Sequence, residues 1–203
     1  MGKIVAIGGI GDLDRFGEIE KHLIEMSRSA YVRILYLPTA GNDEEKNFRL
    51  AKASFEGRFD CVVEPLLLIK GNLSEKRIRE SVLDADMIII GGGSVMLLME
   101  QLIRHDMGAL FYEALEKKSI LAGISAGAIC FGLDYLVAED HQVVEVVECL
   151  GLVDERICPH YDRESYAVKR EVFETYLKEH GLKGLRINDY SAVVFGKEAW
   201  EKR

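Results

Sequence analysis

Ser125 is flanked as a nucleophile would be. It lies in Gly123-Ile124-Ser125-Ala126-Gly127, directly after the apolar run Ser119-Ile120-Leu121-Ala122 and directly before a helix-compatible stretch. A strand that ends in a tight turn and passes into a helix leaves such a hydroxyl exposed at the sheet edge, with small residues on either side. The start of that helix offers unpaired N–H groups to an anionic intermediate. A G-x-S-x-G string also recurs by chance, so its meaning rests on the partners a serine nucleophile needs. These are a base, a group that orients the base, and donors for an oxyanion.

His160 is the base candidate. In Cys158-Pro159-His160-Tyr161-Asp162 it follows a short apolar run, which puts it at the C-terminal edge of a parallel sheet, where such sheets bind ligands. His22 and His180 lie in amphipathic helical stretches, His105 in a charged helix end and His141 in a polar connection. Two carboxylates could orient the imidazole. Asp189, in Ile187-Asn188-Asp189-Tyr190-Ser191-Ala192, gives the chain order Ser, His, Asp, whereas Asp134, past the elbow helix, gives Ser, Asp, His. A triad is defined by geometry and not by order, so both stay open. The structural reading of Asp189 is an Asx-turn, and that of Asp134 a helix end in solvent. Oxyanion donors have a source in Gly91-Gly92-Gly93-Ser94, between the apolar run Met87 to Ile90 and a helix from Val95 to Ile103. Backbone N–H groups there can approach a substrate unobstructed and, with the N–H of Ala126, form a two-donor hole.

The elements that must position these groups alternate along the chain. Apolar runs at Lys3 to Ile7, Arg33 to Leu37, Asp60 to Leu68 in part, Met87 to Ile90, Ile120 to Ile124, Arg156 to Cys158 and Ala192 to Phe195 read as strands, several continuous as doubly buried strands are. Phe16 to Met26 carries Phe16, Ile19, Leu23 and Ile24 at helical spacing; Ser74 to Leu83 and Ala109 to Lys118 repeat the pattern, and Glu164 to His180 is the longest helix, with Gly181 placed to stop it. This predicts α/β architecture: a doubly wound, mostly parallel sheet with helices on both faces. The 203 residues, 48% of them hydrophobic, fit one domain over 1–203. A net charge of −8 argues against nucleic acid or an anionic membrane as partner. Met1 to Gly9 is apolar too briefly for a secretion signal, and no run reaches the roughly 20 residues of a spanning helix, so a cytoplasmic location is expected. Cys61, Cys130, Cys149 and Cys158 show no C-x-x-C spacing and read as core thiols of a reduced compartment. No metal is expected from such dispersed histidines and cysteines. Asp14 and Met96 stand where dinucleotide fingerprints starting at Gly9 and Gly91 need their third glycine, so no nucleotide cofactor is expected either.

Taken together, Gly8-Gly9 after the first strand, Gly91 to Gly93, the Gly123 to Gly127 elbow and Pro159-His160 resemble the serine peptidases typified by dipeptidase E and cyanophycinase. The resemblance spans nearly the whole chain and implies a fold similar to class I glutamine amidotransferases, which is flavodoxin-like. It implies Ser125 as nucleophile, His160 as general base, and an oxyanion hole shared by Gly93 and Ala126. The family's triad acid is a glutamate in a context like Ile-Asp-Glu-x-Thr-Ala-Leu, and the matching stretch puts Asp189, one methylene shorter, at that position. Dipeptidase E has asparagine where this chain has Ser94 and tryptophan where it has Ile124. That enzyme's aspartate-reading arginine has no assigned counterpart here; Arg163 and Arg170 lie nearby and, with Gly92 and Ser94, form the expected substrate-binding set. The chain ends soon after Phe195, short of the C-terminal region expected from this family. The expected activity is hydrolysis of a short peptide or related amide. An esterase or amidase on the same triad, and a non-catalytic binding domain on the same scaffold, are the alternatives, and a homodimer is admitted.

Overall fold

The apolar runs become strands because both their faces are covered. In the computed structural model, which describes residues 2–10 and 13–196, strand β1 (Lys3–Ile7) sends Ile4 and Ala6 into one hydrophobic cluster and Val5 and Ile7 into another. Successive side chains leave a strand on opposite sides, so the two clusters are the two faces of one sheet. The chain continues through α1 (Leu13–Ser27), β2 (Val32–Leu37), α2 (Glu45–Glu56), β3 (Cys61–Pro65), α3 (Glu75–Asp84), β4 (Met87–Ile90), α4 (Val95–Arg104), α5 (Met107–Glu116) and β5 (Ile120–Ile124). Then come the one-turn helix α6 (Ala126–Ile129), strands β6 (Asp134–Glu139), β7 (Gln142–Glu148) and β8 (Ile157–Cys158), α7 (Ala167–His180), β9 (Leu185–Arg186) and β10 (Ala192–Phe195).

Six strands form the central sheet in the order β10-β1-β5-β4-β2-β3, parallel throughout except where β10 runs antiparallel to β1. Leu23 of α1 and Phe55 of α2 pack on one face, and Ile78 and Val82 of α3, Leu98 of α4 and Phe111 of α5 on the other. This is the doubly wound, mostly parallel α/β sheet that the alternation predicts. Of the apolar positions expected along α1, Ile19, Leu23 and Ile24 pack on the sheet, and Phe16 lies outside the described side chains. Gly11 and the residues after Gly196 also lie outside the described part. The last long helix opens with a 3-10 turn, Glu164–Tyr166, and ends at Gly181, whose φ of +64° is left-handed as a helix stop requires.

One expectation is corrected. Asp134 is not a solvent-facing helix end: the elbow helix stops at Ile129, and Asp134 opens β6, which pairs antiparallel with β7. Its carboxylate is held by Arg156 at 2.8 Å. The hairpin turn is Asp140-His141, both at positive φ (+45° and +63°), as the twist of a two-residue hairpin loop demands.

Because β1, β5 and β4 are parallel neighbours, the segments leaving their C-terminal ends lie side by side. Those segments are Gly8-Gly9, the Ser125 elbow and Gly91 to Gly93. Sheets of this kind bind ligands at that edge. Among the described residues no helix is long and apolar enough to cross a membrane.

Candidate active site

Ser125 sits between β5 and α6 at φ +55° and ψ −108°, a conformation that an L-residue adopts only when its surroundings impose it. Such a residue costs on the order of 1–3 kcal/mol. The surroundings here are specific: its N–H donates to the Ile7 carbonyl at 3.0 Å, and its own carbonyl accepts from Ala128 at 2.9 Å and Ile129 at 3.0 Å. The flanking glycines are required by packing. A Cβ on Gly123 would run into the Gly127 carbonyl and the Phe131 ring, and one on Gly127 into the Ile90 carbonyl of the neighbouring strand.

The imidazole of His160 lies against that serine. Its Nε2 is 2.8 Å from Ser125 Oγ and its Nδ1 is 2.6 Å from Asp189 Oδ1. An ionised aspartate only accepts, so Nδ1–H donates to it and Nε2 is left to accept the serine hydroxyl. His160 also has positive φ, +53°, and is 6% exposed. Burial pushes its pKa below the ordinary histidine value; the hydrogen bond and charge of Asp189 oppose that shift, and the charges of Arg163 and Lys169 add to it. The ring is therefore neutral near pH 7 and free to accept a proton. Tyr166 covers it, with ring centroids 4.4 Å apart.

Asp189 is held from three sides. Its Oδ2 accepts from Arg163 Nε at 2.7 Å and faces Arg163 Nη2 at 2.6 Å, while its backbone N–H donates to Asp162 Oδ1 at 2.8 Å. The third side is Gly9, where a Cβ would collide with Asp189 Oδ1 and with the His160 ring. The His–Asp pair thus rests directly on the backbone of the turn after β1. That contact makes room for the shorter acid, and Tyr190 ties its segment to the turn by donating its N–H to the Gly9 carbonyl at 2.9 Å. Between the two carboxylates that the sequence leaves open, the structure brings Asp189 and not Asp134 to the imidazole.

Beside Ser125 opens a cavity of about 510 Å³, walled by Gly93, Ser94 and Ala126, by the β6–β7 hairpin and by α7. Among the described residues the N–H groups of Gly93 and Ala126 donate no backbone hydrogen bond in the turns, loops and helix caps. Ser94 caps α4, its Oγ accepting from Leu97 N–H at 3.2 Å. Gly92 lies beneath the nucleophile, where an added Cβ would stand 3.3 Å from Ser125 Cβ. The two arginines expected at the substrate do not line this cavity. Arg163 binds Asp189, and Arg170 Nη1 donates to the Tyr161 carbonyl at 2.6 Å, tying α7 to the loop that carries His160. Among the described residues no group of three His, Cys, Asp or Glu side chains converges as metal ligands do. Cys130, past the elbow, is fully buried with its thiol pushed well up by burial, so it is no rival nucleophile.

Three residues enter the site that the sequence reading did not place there. Gly9 carried a signal, a glycine pair after a first strand. Tyr166 and Lys169 carried none, since a Tyr and a Lys on a helical stretch are ordinary surface residues until the fold turns that stretch toward the nucleophile.

The chain was compared with known proteins. The model of peptidase family S51 matches residues 4–202. The uncharacterized peptidase YgaJ of Bacillus subtilis is 30% identical over 81% of this chain and 70% of its own length. A peptidase E of Shewanella amazonensis is 33% identical over 41% of this chain, a match that spans 36% of that relative. Among solved structures, a peptidase from an acI-B1 actinobacterium superposes with a TM-score of 0.75 over 96% of this chain and 83% of its own, at 23% identity, which is a likeness of fold.

Proposed function

We propose, since this chain belongs to peptidase family S51 and is a peptidase, that it cleaves short peptides or related amides through an acyl-enzyme on Ser125. The observation that carries this reading is the continuous set of contacts from Ser125 Oγ to His160 at 2.8 Å and from His160 to Asp189 at 2.6 Å. Ser125 Oγ attacks the scissile carbonyl carbon while its proton passes to His160 Nε2. Asp189 holds Nδ1–H and stabilises the imidazolium that results. The N–H groups of Gly93 and Ala126 take the negative charge that develops on the carbonyl oxygen, an interaction worth most where water is excluded. His160 then protonates the leaving amine as the C–N bond breaks. A water molecule, deprotonated by the same ring, hydrolyses the ester and returns Ser125.

An esterase on a non-peptide acyl group would use the same steps, and a panel of peptide and ester substrates separates the two. Against a non-catalytic binding role stands the strained, fully partnered serine: a binding domain has no need of φ +55° at that position. Four free cysteines support work in a reducing compartment, and we place the protein in the cytoplasm. The deciding experiment replaces Ser125 with alanine. Peptide hydrolysis by purified Ser125→Ala should fall by at least about 10³-fold with the fold retained. Hydrolysis at the wild-type rate would refute the mechanism.

A further inference from the structure

We propose that the cavity beside Ser125 selects a bulky apolar or aromatic residue of the peptide, a specificity that rests on the reading of Ser125 as nucleophile. The inner wall is made of Ile129 and Ile157 from the elbow side and of Val172 and Phe173 from α7, all buried. At the mouth stand Met96 and Val168, 43% and 48% exposed, large apolar side chains left in water on opposite elements of the same opening. An apolar side chain bound between them would take both out of water, a gain proportional to the area covered.

The charges on the wall argue the same way. A carboxylate entering the cavity needs a cation to repay its lost hydration. Arg163 is committed to Asp189, Arg170 to the Tyr161 carbonyl, and Arg156 to Asp134. Those three arginines do not line the cavity; among the described residues Lys169 is the lysine that does, lying 5.0 Å over the Tyr166 ring, and His141, also on the wall, faces Glu171 at 3.5 Å. The Asp140 carboxylate shares that wall and repels an anion, and the Asp134 carboxylate, neutralised by Arg156, offers it no attraction. Cys158, also on it, carries a thiol pushed up to about 11 by burial, so it is uncharged at physiological pH.

The test uses the full chain and two dipeptide series, X-Ala and Ala-X, with X as Phe, Leu, Ala, Asp and Lys, following amine release. In one series Phe and Leu should exceed Ala and Asp by at least about ten-fold in kcat/KM, the discrimination an apolar pocket gives for each methylene or more that is lost. Val168→Asp, at an exposed position, should reduce the Phe preference by about ten-fold while its melting curve verifies the fold. Equal rates across X, or Asp ahead of Phe, would overturn the proposal. Fluorophosphonate labelling of Ser125 in the same preparation separates the two readings. Labelling without an apolar preference sinks the pocket alone, and no labelling together with an active Ser125→Ala variant sinks the nucleophile and the pocket with it.

Discussion

A buried imidazole resists protonation, and at His160 two cations reinforce that resistance while Asp189 opposes it. The general base must be neutral to act, so activity rises with pH through the His160 titration. The acid limb of kcat/KM should therefore inflect below the ordinary histidine value of about 6.5. Arg163 is one of the groups that lowers this pKa, and it also spreads its guanidinium along Asp189 Oδ2. Removing it leaves the carboxylate unneutralised beside the ring and removes a repulsion, both of which favour the imidazolium. Arg163→Gln should thus shift the acid limb to higher pH and lower kcat/KM between about ten- and a hundred-fold through the loosened aspartate; pH–rate profiles of the two proteins check it, and an unmoved limb would assign Arg163 a purely structural part. Ser125 and His160 were legible because residue type and place after an apolar run are both written in the sequence; Asp189 was one of two carboxylates that position alone left open, and the family resemblance put it at the acid place. The direction of Arg163 was not. Three positions beyond His160, it reads equally well as facing a substrate or the back of the aspartate, and only the turn of the backbone at His160 decides.

At the scale of elements, the turn after β1 does for the His–Asp pair what the elbow does for the serine. Gly9 lets two side chains rest on bare backbone, and a methyl there would push both away from Ser125. Gly9→Ala should lower kcat/KM by at least about 10², the cost of misplacing reacting groups by about an ångström, while the sheet beneath, filled by Ile4 to Ile7, still folds. Steady-state kinetics beside circular dichroism would show it, and full activity would mean that the pair has other room. The sheet itself was legible from its doubly buried apolar runs. Helix α2, the β6–β7 hairpin and the two-residue strand β9 were not. In α2, Phe48, Ala51 and Phe55 keep helical spacing, but charged neighbours in Glu44 to Lys52 obscure a short stripe. In the β6–β7 hairpin the turn is Asp140-His141, where the usual signal would be a glycine. Missing that hairpin is what left Asp134 assigned to a helix end and hid the cavity, since the hairpin supplies one wall of it.

Over the whole molecule, the site is assembled from segments spread from Gly9 to Asp189, and Asp189 is anchored by β10, a four-residue strand at the sheet edge beside β1. Edge strands with half-exposed side chains open before the centre of a sheet does. In a urea titration, activity should therefore be lost at lower denaturant than the far-ultraviolet circular dichroism signal, and the amides of β10 should exchange with solvent faster than those of β5. Coincident transitions would mean that β10 and the core open together. The pairing of β10 with β1 also sets a timetable. The ribosome delivers the serine and the histidine well before the aspartate, and the aspartate reaches them only when the last described strand closes against the first. A nascent chain thus carries a disarmed nucleophile until the segment from Asp189 to Phe195 has been made. Whatever bonds the folded protein breaks, it holds the means to break them only while β10 is paired with β1.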